Sequence, residues 1–286
     1  MDELPDEVLA HILTFCSIRQ VCRSMSVSRN WEAAARYAIR VRKKFLLLQQ
    51  SMHGSVDSPL DVVTMTRQEG KSKSRWMMSL IRCTNQMECL RFFRSVLFHP
   101  FRQELQQTVK KNACTLRTLI IPEWTLPYDD HVVYSRLRRL ECKSLSDKAA
   151  AACPVLRKLE IWEQRSRSMF QHLPAATMRE LVCCFPNLPD QLVPVRVTGK
   201  ALVSLSRLDK LKRVNLDACW LDMTEDDLLT FLRGRHSFRK LSISINRMPA
   251  TASSFIEAEL RSIGEQTGRN IRFNKLGMGM VAIEVA

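Results

Sequence analysis

Residues 137–142, Leu-Arg-Arg-Leu-Glu-Cys, and residues 156–161, Leu-Arg-Lys-Leu-Glu-Ile, carry the same six-position pattern. Apolar residues stand at the first, fourth and sixth positions. The fourth and sixth are two apart, so an extended chain turns both to one face. The intervening positions are charged, which fits a strand with one buried and one wetted face. The same pattern recurs on either side of this pair. Its instances are Met87-Leu90-Phe92, Leu116-Leu119-Ile121, Leu137-Leu140-Cys142, Leu156-Leu159-Ile161, Met178-Leu181-Cys183, Leu211-Val214-Leu216 and Phe238-Leu241-Ile243.

Successive instances start 29, 21, 19, 22, 33 and 27 residues apart. This periodicity resembles that of leucine-rich repeats, in which each unit is one strand and one helix that bury their apolar faces only against neighbouring units. The longest spacing leaves room for a degenerate unit around Val193-Val195-Val197. Gaps between cores read as helices. Phe101, Leu105 and Val109 recur at helical spacing. Thr224 with Asp227, and Ser254 with Glu257, read as capping boxes opening Leu228-Leu229-Phe231-Leu232 and Ile256-Leu260-Ile263, and Gly268 reads as a helix stop. Ile271 to Val285 reads as one or two terminal strands. An unrelated α/β sheet is the rival architecture.

Upstream, residues 4–35 read LPDEVLAHILTFCSIRQVCRSMSVSRNWEAAA. Pro5 suits a first helical turn, and Asp6 and Glu7 complement the positive end of the helix dipole. Val8, Leu9, Ile12, Leu13 and Cys16 form an apolar stripe. A second helix runs from Arg19 to Met25, and a third begins near Ser28 and carries Trp31, Ala34 and Ala35. Three short helices hide only part of their apolar surface, and the remainder calls for a partner.

Leu4-Pro5, Glu7-Val8-Leu9, Ile12-Leu13 and Val27-Ser28-Arg29-Asn30-Trp31 stand at the separations of an F-box, and the segment resembles that family over about its first 40 residues. It departs from the family pattern at Cys16, where leucine is more usual, and at Arg19-Gln20, where an acidic residue often stands. The resemblance implies docking on the Skp adaptor of Skp–cullin–F-box ubiquitin ligases. By position, Leu4, Pro5, Val8, Leu9, Ile12 and Leu13 make the main contact, and Trp31 steadies the helices. It also implies a non-catalytic subunit, linked through the adaptor to a cullin–RING ligase, with the repeats holding a protein substrate.

The expected division is residues 1–45 for the F-box, 46–75 for a helix end and linker, and 76–286 for the solenoid. The fold class is α/β, a three-helix N-terminus followed by a curved parallel sheet with outer helices. The third helix is expected to continue into Phe45-Leu46-Leu47-Leu48, and Leu60 to Met65 reads as one strand inside the linker.

The chain carries a formal charge of +15. Residues 1–35 contribute −2, so the remainder is strongly basic and suits acidic partners. The second position of six successive cores is Arg117, Arg138, Arg157, Arg179, Lys212 and Arg239, which predicts a basic ladder across the sheet. An acidic or phosphorylated substrate fits it, and the bland reading is long cations splayed into water. Arg139 with Glu141, and Lys158 with Glu160, offset each other on the face beside it, which argues against a uniformly basic nucleic-acid groove. Trp162 is a candidate substrate anchor, with Trp124 and Trp220 behind it.

No catalytic signature is present. Gly-rich phosphate loops, His-Glu-x-x-His and Gly-x-Ser-x-Gly are lacking, and His11, His53, His99, His131, His172 and His236 are isolated. The ten cysteines contain no Cys-x-x-Cys pair and read as small buried hydrophobes rather than metal ligands. No cofactor is implied. No apolar run is long enough to span a membrane, and the acidic start is unlike a secretory signal, so the expected location is cytoplasmic or nuclear. A basic repeat scaffold that binds nucleic acid or acidic proteins, without ubiquitin chemistry, is the alternative function.

Overall fold

The computed structural model describes residues 4–16, 18–41, 46–51, 62–66, 86–92, 102–122, 124–162, 169–183, 195–216, 219–222, 224–233, 240–245, 250–277 and 280–285. They form a mixed α/β protein with a largely parallel sheet. The chain divides into two compact units, residues 1–122 with 127–137 and residues 123–126 with 138–286.

Unit 1 opens with helices α1 (Asp6–Phe15), α2 (Ile18–Ser24) and α3 (Arg29–Val41). Pro5 precedes α1, and its carbonyl accepts from the Leu9 amide at 3.0 Å. Leu9, Ala10 and Leu13 of α1 are buried together with Val21 of α2 and Ala34, Ala35, Ala38 and Ile39 of α3. The three alanines are strong helix formers and small enough to let α1 lie close against α3. Ser28 caps α3 by accepting from the Trp31 amide at 3.3 Å.

Strands β1 (Leu46–Ser51), β2 (Val62–Thr66), β3 (Cys89–Phe92) and β4 (Thr118–Ile121) follow, with helix α4 (Arg102–Lys111) between the last two. They pair in parallel in the order β2-β1-β3-β4. The expected helical continuation through Leu48 is therefore overturned. An unbroken Leu-Leu-Leu run suits a strand paired on both sides, and β1 lies between β2 and β3. The fully buried Asn112 ties β3 to α4. Its carbonyl oxygen accepts from the Met87 amide at 2.8 Å, and its amide nitrogen donates to the Thr108 carbonyl at 2.8 Å.

Unit 2 contains β5 (Arg139–Cys142), α5 (Asp147–Ala151), β6 (Lys158–Ile161), β7 (Glu180–Cys183), β8 (Val195–Thr198), α6 (Gly199–Ser204), β9 (Arg213–Leu216) and β10 (Cys219–Asp222). It ends with α7 (Glu225–Arg233), β11 (Lys240–Ile245), α8 (Ala250–Thr267), β12 (Ile271–Gly277) and β13 (Met280–Val285). The sheet order is β5-β6-β7-β9-β11-β13-β12. Pairing is parallel as far as β11, and the last two strands are antiparallel.

Register explains the core. Leu140, Leu159, Leu181, Val214 and Leu241 align across the sheet, and Cys142, Ile161 and Cys183 align beside them, all buried. Leu216 aligns with Ile243, again buried. Leu145, Ala149, Ala150, Cys153, Leu156, Phe170, Leu202 and Leu205 are buried as well. Every second strand residue thus enters the core, and those between stay in contact with water.

Two expectations fail here. The degenerate unit at Val193-Val195-Val197 does not enter the main sheet, because β8 pairs with β10 in a separate two-stranded sheet and β7 pairs directly with β9. Ser254 does not open α8, which already begins at Ala250. The box at α7 forms as read. Thr224 Oγ1 accepts from the Asp227 amide at 3.2 Å, and Asp227 Oδ2 accepts from the Thr224 amide at 3.1 Å. Gly268, with φ of 65°, follows the end of α8 in the left-handed conformation that glycine tolerates best.

Candidate functional site

Two surfaces answer to the sequence reading, one in each unit. On α1 the apolar residues separate into two faces. Leu9 and Leu13 are 3% and 2% exposed, whereas Leu4, Val8, Ile12 and Phe15 are 54%, 44%, 44% and 71% exposed. The helical repeat accounts for the split. Leu9 and Leu13 share one face, and Val8, Ile12 and Phe15, at spacings of four and three, share another. Of the residues expected to make the adaptor contact, Leu4, Pro5, Val8 and Ile12 are at the surface. Leu9 and Leu13 are not, because their side chains are spent holding α1 in the helical core. Trp31 is half-buried.

Phe15 belongs to the exposed stripe and was missed by the reading of the sequence, although its spacing from Ile12 was the signal. Its ring meets His11 edge-on at 5.1 Å between centroids. His11, also exposed, flanks the row between Val8 and Phe15. A contiguous exposed apolar stripe on one helix marks an interaction surface rather than a catalytic one.

The second surface lies along the unit 2 sheet at the residues that precede its strands. The Arg138 carbonyl accepts from the amides of Arg157 at 2.8 Å and Lys158 at 2.9 Å. The Arg157 carbonyl accepts from Arg179 at 2.8 Å and Glu180 at 2.9 Å, and the Arg179 carbonyl from Lys212 at 2.7 Å and Arg213 at 3.0 Å. Arg138, Arg157, Arg179 and Lys212 thus occupy successive rungs. The three arginines are exposed and Lys212 is half-exposed. Arg117 belongs to unit 1, where it stands 3.6 Å from Glu88. Arg239 lies outside the described residues.

One position further along, Arg139, Lys158, Glu180, Arg213 and Lys240 align in register. Arg139 is 4.0 Å from Glu141, as expected along its own strand. Lys158 lies 3.2 Å from Glu180 on the neighbouring strand, and Arg213 lies 3.7 Å from the same carboxylate. Charge offset therefore runs across strands as well as along them. Two residues on, Glu141 aligns with Glu160. Beyond them Lys143 donates its amide to the Trp124 carbonyl at 2.8 Å, and Trp162 donates to the Lys143 carbonyl at 3.1 Å. Both tryptophans are half-buried. Trp220 has its backbone in β10, away from this row.

Among the described residues no group of three or more His, Cys, Asp and Glu side chains is disposed to hold a metal ion. Cys142 and Cys153 are buried, and desolvation raises both thiols, Cys153 up to about 12. Neither is poised as a nucleophile. No described helix is long and apolar enough to cross a membrane.

The comparison that bears on the first surface covers α1, α2 and α3. Residues 1–45 match the F-box-like family model. The exposed stripe therefore lies within an F-box-like domain. No curated protein matches the chain.

Proposed function

We propose that this protein is a non-catalytic, substrate-recognition subunit of a Skp–cullin–F-box ubiquitin ligase. The observation that carries the reading is the exposed row Val8, Ile12 and Phe15 on the first helix of the F-box-like domain, with Leu4 exposed just before it. An apolar stripe beside a well-packed helical core is the feature a partner covers, and burying four such side chains gives several kcal/mol, about 1.5–3 for each fully buried group. The Skp adaptor takes that face, and the cullin–RING machinery follows from it. Pro5 and Trp31 serve the same contact by shaping the entry to α1 and bracing α3.

The repeat region, expected over residues 76–286, is the part that holds substrate, and unit 2 carries most of it. The successive strand and helix units of unit 2, each closing its core on the next, support a reading as leucine-rich repeats. Catalysis in this arrangement is positioning, because a held substrate meets the conjugating enzyme at raised effective concentration. No cofactor takes part, and the protein works in the cytoplasm or nucleus.

The test is reconstitution. Full chain, Skp adaptor and cullin are mixed and resolved by size-exclusion chromatography. One complex containing all three is expected, and migration of the chain apart from the adaptor overturns the reading. The basic ladder favours a second reading, a scaffold for nucleic acid or acidic proteins without ubiquitin chemistry. In that case the chain migrates apart from the adaptor yet retains an anion-dependent partner.

A further inference from the structure

Arg138, Arg157, Arg179 and Lys212 stand on adjacent rungs about 4.8 Å apart, a row of four cations about 14 Å long. We propose that this edge of the unit 2 sheet docks an extended acidic polypeptide segment, a run of aspartate and glutamate residues. The inference rests on the reading of unit 2 as the substrate-holding part and names the class of substrate it holds.

Like charges directly opposite on neighbouring strands destabilise a sheet. None of these four side chains has an acidic partner among the described residues. The pattern does not demand cations there. In unit 1 the equivalent rung pair is Glu88 and Arg117, 3.6 Å apart, an acid facing a base. Three exposed arginines and the half-exposed Lys212 on successive rungs thus work against the fold, and an anionic partner is what compensates them. In the adjoining row Arg139, Lys158, Glu180, Arg213 and Lys240 align, and there Glu141 and Glu180 offset Arg139, Lys158 and Arg213, so the ladder of four carries the site.

The chemistry of the occupant follows from the limits of the strip. A single phosphate satisfies one or two rungs, whereas four consecutive rungs call for a run of anions. The strip is also narrow. Glu141 and Glu160 align three residues beyond Arg138 and Arg157, about 10 Å away, and repel any broad anion. Single-stranded nucleic acid is held by cations interleaved with aromatic platforms. Here Trp124 and Trp162 bond through backbone to Lys143, beyond the glutamates, and are not interleaved with the four ladder residues. An extended polypeptide is slim enough to follow the row. Its carboxylates suit arginine, whose planar fork binds them through two parallel hydrogen bonds.

The experiment uses the full chain and a fluorescently labelled oligo-glutamate peptide, followed by anisotropy at several salt concentrations. Binding that weakens with salt is expected, because exposed charges are screened. Arg157→Gln/Arg179→Gln should weaken it about tenfold, as expected for the loss of two partly exposed ion pairs. Lys148→Gln/Lys200→Gln removes the same charge from helices α5 and α6 and should leave affinity unchanged. Arg157→Lys/Arg179→Lys keeps the charge but loses the fork, and should weaken binding less than the glutamine pair does. All these positions are at the surface, and circular dichroism confirms that each variant keeps its fold. Val8→Asp/Ile12→Asp on α1 should bind the peptide as the natural chain does, which separates this site from adaptor docking. The proposal is overturned if oligo-glutamate does not bind, if the Arg157/Arg179 variant binds it equally well, or if oligothymidine binds more tightly than the peptide.

Discussion

The amide of Arg179 donates to the carbonyl of Arg157 across 2.8 Å, so two exposed guanidinium-bearing residues are held on neighbouring rungs of one sheet. The backbone fixes their separation whatever the side chains prefer. Folding alone would be served better by a neutral residue at either position. Arg157→Gln or Arg179→Gln should therefore leave stability unchanged or raise it by up to about 0.5 kcal/mol. Urea midpoints of the two variants check this, and a clear loss of stability would show that the arginines support the fold.

The buried row behaves in the opposite way. Leu159 is fully buried between Leu140 and Leu181, with no water-facing route for the neighbouring strands to close over a gap. Leu159→Ala should cost about 2–5 kcal/mol, the range for a leucine removed from a close-packed core. Because each unit leans on the next, thermal unfolding of the variant should lower the transition of unit 2 as a whole. A change below about 1 kcal/mol would contradict the packing described here.

A Cβ added to Gly199 would stand 1.9 Å from Oδ2 of Asp227. That carboxylate closes the capping box at the start of α7 through the Thr224 amide and hydroxyl. Gly199→Ala should displace Asp227 and undo the cap, at about 0.5–2 kcal/mol. If so, Asp227→Ala and Gly199→Ala should cost less together than the sum of their separate effects, because the second change finds the cap already lost. Strict additivity would show that the glycine is needed for another reason.

Two buried thiols make a pH prediction. Desolvation raises Cys142 and Cys153, the latter to about 12, whereas an unfolded cysteine ionises near about 8.5. Below that lower value both states hold the proton and stability does not depend on these groups. As pH rises above it the unfolded chain releases protons that the folded chain keeps, so stability falls progressively toward pH 12. Cys142→Ser/Cys153→Ser should remove that part of the alkaline slope. Alkylation of the native protein near pH 8 should label the exposed Cys114 and spare both buried thiols.

The elements most legible in the sequence were those where local chemistry and burial agree. Leu140, Cys142, Leu159 and Ile161 announced their strands because each apolar residue alternates with a charged one. Gly268 and the Thr224–Asp227 box marked helix ends by their own backbone chemistry. Four of the six expected ladder residues, Arg138, Arg157, Arg179 and Lys212, stand on successive rungs because strand register is inherited from the buried row, whereas Arg117 falls in unit 1 and Arg239 lies outside the described residues. Leu46-Leu47-Leu48 was misread because an apolar run carries no period, and pairing with two neighbours decided its structure. Ser254 carried a cap signal that the longer helix α8 overrode. β8 left the main sheet through its pairing with β10, which has no trace in either strand alone. On α1, helical spacing revealed a stripe but not which of Val8 and Leu9 faces the core. That depends on where α3 packs.

The most direct test of the central claim is capture of purified Skp adaptor by the full chain, beside Val8→Asp/Ile12→Asp. Both residues are exposed, so the carboxylates leave the fold intact but place charge in an apolar contact, which is strongly unfavourable. Capture that persists in high salt and is lost in the variant is the predicted result. Failure of the folded natural chain to capture the adaptor, or equal capture by the variant, would contradict the account.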